Sequence, residues 1–223
     1  MSDDSLFREI DEEVRRDKIV SIWTRFGNLI LAVCFLVIAG VGGYKAWQYW
    51  DAKQAEEAGM RWYGAVRLAQ AGKDAEANKA FDDIAATGHK GYALLARLSQ
   101  AAQLAQDGKR DEAVAVYDQV AADGAADQAL RELARVRAAY LLVDTASLAD
   151  LTGRLEGMGD ATSFWRHATR EILALANFRE GQFKRAAELA TEILADPATP
   201  AGMRARTQLV SAHLQPLLQQ QPD

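Results

Sequence analysis

From Phe26 to Tyr44 the chain carries no charged residue for 19 positions, and Arg25 and Lys45 close the stretch at its two ends. As a helix it covers roughly 28 Å, close to the hydrocarbon thickness of a bilayer. Its backbone groups then find all their partners inside the segment, the condition a lipid environment imposes. The run is apolar around its whole circumference and longer than an ordinary core helix, so a transmembrane helix is expected in preference to a buried one. Trp23 on one side and Tyr44, Trp47, Tyr49 and Trp50 on the other supply rings suited to headgroup depth.

The surroundings of the run argue against removal of this segment. A signal peptide needs a short basic start and a small-x-small cleavage site, whereas here 25 charge-rich residues precede the run and bulky Tyr44-Lys45-Ala46-Trp47 follows it. Leu31-Ala32-Val33-Cys34 resembles a lipoprotein box only superficially, because Val33 is not small and the run continues beyond it. Cys34 therefore reads as an apolar residue of the span. Arg8, Arg15, Arg16, Lys18 and Arg25 precede the span, against Lys45, Lys53 and Arg61 after it. That bias favours a cytoplasmic N-terminus, with the large domain outside the inner (plasma) membrane and, in a bacterium, periplasmic. Residues 1–25 form a charged head. Leu6, Phe7, Ile10 and Val14 could line one helical face within it, but a solvated tail is the simpler reading.

Beyond the span the chain repeats itself, which is the first pattern to seek in a long helical sequence. Gly72, Gly108, Thr145 and Gly181 are spaced by 36, 37 and 36 residues. Seven positions before them stand Ala65, Ala101, Ala138 and Ala174, and four before stand Leu68, Leu104, Leu141 and Asn177. Five after come Ala77, Ala113 and Ala186, and twelve after come Ile84, Val120 and Ile193, with Phe81 and Tyr117 at nine. The third unit, after Thr145, lacks this second half. Each unit reads as two antiparallel helices joined where glycine supplies a left-handed residue, with alanines allowing close approach. One such hairpin cannot bury its own face, so several must stack. The units are expected near 54–88, 91–124, 126–159 and 162–195. Thr199 and Pro200 are then expected to open a capping helix that ends before Pro216. The domain plan is a head over 1–25, a span with its aromatic exit over 26–50, a repeat domain over 51–215 and a frayed tail over 216–223. The fold class expected is all-α: one transmembrane helix, then an α-solenoid of about four hairpins plus a cap.

The glycine marker, the alanine seven before it and the Ala and Phe/Tyr positions after it resemble the tetratricopeptide repeat, without that family's usual Trp and Pro. The whole layout goes further: a charged head, a span leaving through Tyr44-Lys45-Ala46-Trp47-Gln48-Tyr49-Trp50, and repeats containing the segment Gly91 to Ala101. It resembles the YfgM-type ancillary subunits of the bacterial Sec translocon. That resemblance implies a periplasmic TPR-like scaffold whose partners are Sec translocon subunits and periplasmic chaperones.

Chemistry is sparse. His89, His167 and His213 belong to no metal-ligand pair, His89 being expected in a loop and the other two on helix surfaces. Asp160, Trp165, His167 and Glu171 lie close in sequence, but no nucleophile or oxyanion donor accompanies them, and Trp165, Ile172 and Leu173 read as a packing face. Gly157-Met158-Gly159-Asp160 lacks the strand that a phosphate loop requires. A formal charge of -5 argues against nucleic acid. No enzyme activity, cofactor or metal is expected. The expected role is a protein-interaction scaffold at the secretion machinery, the alternative being one for cell-wall synthesis or division. Arg61, Arg97, Arg135 and Arg170, recurring 10 or 11 residues before each marker, are the candidate protein-binding residues.

Overall fold

The computed structural model describes residues 3–220, excepting the side chains of residues 3–22, 30 and 90. Residues 221–223 of the expected tail lie outside the described residues, as do the side chains of the head's apolar positions. Among the described residues all regular secondary structure is helical, with nine α-helices and no strand. It divides into two units, Met1–Glu56 and Glu57–Asp223.

The first helix, α1, runs Asp3–Gln70. Its backbone is helical from Asp3, so the head takes the helical alternative and not that of an unstructured tail. A segment continuous with a long helix pays no nucleation cost, which is what makes a short isolated helix marginal. Among the described residues one helix, over Trp23–Gln70, is long and apolar enough to cross a membrane. Phe35, Leu36 and Ile38 are each about 70% exposed, and Trp47, Tyr49 and Trp50 are exposed as well, so the segment is not a core helix of the described fold.

The second unit contains the end of α1, followed by α2 (Asp74–Thr87), α3 (Lys90–Gln106), α4 (Arg110–Ala122), α5 (Gln128–Leu142), α6 (Leu148–Arg154), α7 (Arg166–Arg179), α8 (Phe183–Ala195) and α9 (Ala201–Gln220). Successive helices pair as hairpins, and each hairpin packs on the next; α9 lies against α8 and covers the last hairpin.

Three turns are built identically. Gly72, Gly108 and Gly181 have φ of 72°, 77° and 74°, the left-handed region where a Cβ is penalised. The residue after each glycine donates its N–H back to the carbonyl five positions earlier: Lys73 to Leu68 at 3.0 Å, Lys109 to Leu104 at 2.9 Å, Gln182 to Asn177 at 2.8 Å. The glycines themselves bond to Ala69, Ala105 and Phe178. These paired bonds satisfy carbonyls that a helix end otherwise leaves orphaned. The carbonyls of Lys73, Lys109 and Gln182 then accept from Ala77, Ala113 and Ala186, which starts the second helix without a side-chain cap.

The small-residue columns are closed. Ala65, Ala101, Ala138 and Ala174 expose 3% or less, and Ala77, Ala113 and Ala186 none. Phe81, Tyr117, Ile84, Val120 and Ile193 are each 4% exposed or less.

The third hairpin departs from the others. Thr145 has no left-handed conformation; its N–H and that of Ala146 both return to the Leu142 carbonyl, and Ser147 caps α6 by accepting from Asp150 at 3.1 Å. A β-branched residue adopts positive φ only at a steric penalty, so the chain turns without one. α6 is correspondingly short, and Leu155 and Met158 beyond its end fill the volume that a full second helix would occupy.

The C-terminal helix differs from expectation in two details. The Thr199 hydroxyl donates to the Ile193 carbonyl at 2.6 Å, so it closes the end of α8 instead of capping α9. α9 continues through Pro216 to Gln220. Proline removes one helical hydrogen bond, freeing the carbonyl four residues back at Ala212. Both residues are exposed, so water can satisfy that carbonyl.

Candidate interaction surfaces

A hairpin stack offers partners its side chains on open faces and in the clefts between helices. The four arginines of the repeat do not form one lining. Arg97 on α3 approaches Asp123 after α4 at 4.0 Å, and Arg170 on α7 pairs with Glu192 on α8 at 3.1 Å. Both brace the two helices of their own hairpin. Arg135 on α5 is exposed and borders a polar cleft of about 1000 Å³ with Asp118, Leu142, Asp150 and Arg154. Arg61 on α1 is exposed and borders a separate groove of about 650 Å³ between α1 and α2.

That groove is apolar. Ala65, Leu68, Ala80 and Ile84 floor it, with Gly64 and Ala71 at its side. Arg61, Arg67 and Lys73 stand around it, with Asp83 the one acid among its lining residues.

Two polar clusters involve residues singled out by sequence. Glu171 is buried on α7; Tyr140 of α5 donates to it at 2.6 Å, and Arg206 of α9 reaches both its oxygens at 2.9 and 3.0 Å. Burial, then the bond to Glu171, hold the Tyr140 proton above the ordinary phenol range. His167 corrects the expectation of a surface histidine: it is 7% exposed, and its Nε2 lies 2.8 Å from Asp196 Oδ2. Arg166 donates to the same carboxylate oxygen at 2.9 Å, while Ala198 N–H donates to the other. The Ala198 bond, followed by Arg166 and His167, holds Asp196 well below the usual carboxylate range. Sequence reasoning missed Tyr140, Arg206 and Asp196, because each lies about 30 residues or more from its partner and no short motif joins them. His213 is on the surface, as expected, with Nδ1 2.9 Å from the Leu209 carbonyl. Trp165, Ile172 and Leu173 pack into one core with Leu151 and Met158. Among the described residues no group of three or more His, Cys, Asp or Glu side chains is arranged to hold a metal ion.

These clusters tie helices together. The fold and its surfaces define a helical-hairpin repeat protein, a class that serves as protein-interaction modules. A family model described as a tetratricopeptide repeat-like domain matches residues 21–171, more than half of the chain. The chain belongs to that family. No curated protein matches it, and no solved structure does.

Proposed function

We propose that this protein is a membrane-anchored interaction scaffold resembling an ancillary subunit of the Sec translocon, linking it to periplasmic chaperones. The observation that carries the reading is the extent of the family match, which begins at Ser21, ahead of the uncharged run, and so takes in the apolar helix together with the first three hairpins. A match that covers the apolar helix along with the repeats supports reading the two together, in a role performed beside a membrane partner. In this reading α1 spans the inner membrane with residues 1–25 cytoplasmic and the repeat domain periplasmic. The basic bias before Phe26 supports that direction. Arg61, Arg97, Arg135 and Arg170 contribute to partner binding, with Arg61 and Arg135 the more available of the four. Confinement to the membrane raises the effective concentration of partners, so a modest surface suffices.

Co-purification from solubilised membranes tests the proposal. The intact chain should recover translocon subunits or periplasmic chaperones, and recover markedly less when residues 26–50 are replaced by an unrelated span. Recovery of cell-wall or division proteins alone would transfer the scaffold to that process. Turnover of a substrate by the repeat domain would defeat the scaffold reading. Protease added outside the membrane should digest residues after Asp51 and spare the head, and protection of the large domain would reverse the topology.

A further inference from the structure

The groove between α1 and α2 lies on the face of the first hairpin turned away from its neighbour. α1 meets α3 through Gly59 and Trp62, both against Tyr92. At 100° per residue the groove positions Arg61, Gly64, Leu68 and Ala71 fall on the opposite side of the helix. This is where a preceding hairpin would stack in a longer solenoid. The other end of the stack is covered by α9, but among the described residues nothing covers this one.

Gly64 adds a second observation. Glycine is the least favourable residue in a helix interior apart from proline, and it persists where close approach demands it. Gly59 meets that demand: a Cβ there would come within 2.7 Å of the Tyr92 hydroxyl. A Cβ at Gly64 would meet nothing within 4 Å. Nothing in the described fold fills that space, so the bare backbone at Gly64 leaves depth at the side of the groove. Met60 and Tyr63, each more than 60% exposed on the adjoining strip of α1, extend the apolar surface outward.

We infer that this groove receives an amphipathic helix of a partner protein, with an apolar stripe and carboxylates along its edge. The inference rests on the scaffold reading above and deepens it. Charge selects the occupant. Arg61 and Arg67 make no ion pair among the described residues, while Lys73 is matched by Glu76 at 3.3 Å. Two uncommitted guanidinium groups beside an apolar floor complement an acidic helix edge. A second copy docked by a two-fold axis would bring the same arginines to the same face, which disfavours self-association there. The concave floor suits a helix better than a bilayer surface. From Arg61 to Ala71 the groove wall rises roughly 15 Å, the length of about three helical turns.

The test uses the full chain in lipid nanodiscs and a fluorescent helical peptide of about 14 residues, with leucines at i, i+3, i+4 and i+7 and glutamates on the flanks. A second peptide carries lysines in place of the glutamates. The glutamate peptide should bind, and Arg61→Glu combined with Arg67→Glu should weaken it about tenfold or more, with a matching loss on raising salt. Gly64→Trp, which fills the groove from an open position, should abolish binding without lowering the melting temperature. Failure of the glutamate peptide to bind, equal binding of the two peptides, or unaltered binding in either variant overturns the inference. So does self-association of the full chain that Gly64→Trp abolishes, which would assign the face to a second copy. The scaffold reading fails separately: if the double arginine variant still recovers the wild-type partners from membranes, the groove assignment falls and the scaffold stands.

Discussion

The hydroxyl of Tyr140 on α5 donates to Glu171 on α7 at 2.6 Å, joining the first helices of the third and fourth hairpins through a carboxylate with an 8% exposed side chain. Arg206 from the capping helix completes the group, but its own side chain is 61% exposed, so solvent screens much of that pairing. Tyr140→Phe should cost about 1 kcal/mol, because Glu171 keeps its arginine. Glu171→Gln should cost about 1 to 3 kcal/mol, since it weakens bonds on both sides. A double-mutant cycle by denaturant unfolding should give a coupling of at least about 0.5 kcal/mol. Strict additivity would show that the bond across the hairpins adds nothing to stability.

Gly108 and Gly91 make a matched pair for the turn. Gly108 has φ 77°, whereas Gly91 in the first turn of α3 has open space at its Cβ position and no left-handed backbone. Gly108→Ala should destabilise by about 1 to 2 kcal/mol. Gly91→Ala should stabilise by up to about 1 kcal/mol by restricting the unfolded chain. Melting temperatures moving in the same direction would contradict this account of the turn.

Asn177 occupies the column held by Leu68, Leu104 and Leu141 in the other units. It is 4% exposed; Nδ2 donates to the Leu173 carbonyl at 2.7 Å, while the buried Oδ1 has no partner. Replacing a half-satisfied buried amide by an apolar group of similar size removes a desolvation penalty. Asn177→Leu should therefore raise the melting temperature, and a fall of several degrees would show that the amide contributes more than its single bond suggests.

The hairpin register was readable from sequence because it rests on local chemistry. Gly72, Gly108 and Gly181 mark left-handed turns, and the alanine columns mark close approach, at fixed offsets along the chain. The third unit signalled its own departure, since threonine replaces glycine and the later alanine and isoleucine are absent. What filled the space, Leu155 and Met158 beyond a short helix, follows from three-dimensional volume and was not readable. The same holds for the arginines. Their recurrence suggested one shared surface, but Arg97 and Arg170 turn to acids on the adjacent helical segment whose spacing differs between hairpins. His167 looked like a surface residue because its partner Asp196 lies 29 positions on.

Asp196 provides a pH dependence with a definite sign. The Ala198 N–H, Arg166 and His167 favour its ionised form in the folded state. The unfolded chain takes up this proton at about pH 3.9, before the folded state does. The stabilisation is therefore complete above that value and is lost as the pH falls through the depressed folded-state value. Between about pH 4 and pH 2 the wild type should lose more stability than Asp196→Asn. Parallel acid limbs in the two unfolding profiles would contradict the assignment.

The central claim, a scaffold anchored beside its partners, is tested most directly by crosslinking in native membranes. A photoreactive residue is placed in turn at Arg61, at Arg135 and within the span, and the attached proteins are identified. The account predicts adducts from the span to an integral membrane subunit of the translocon, and adducts from one or both repeat positions to translocon or chaperone proteins on the outer side. Adducts to cytoplasmic proteins from the repeat positions, or none from any of the three sites above an uncrosslinked control, would contradict it.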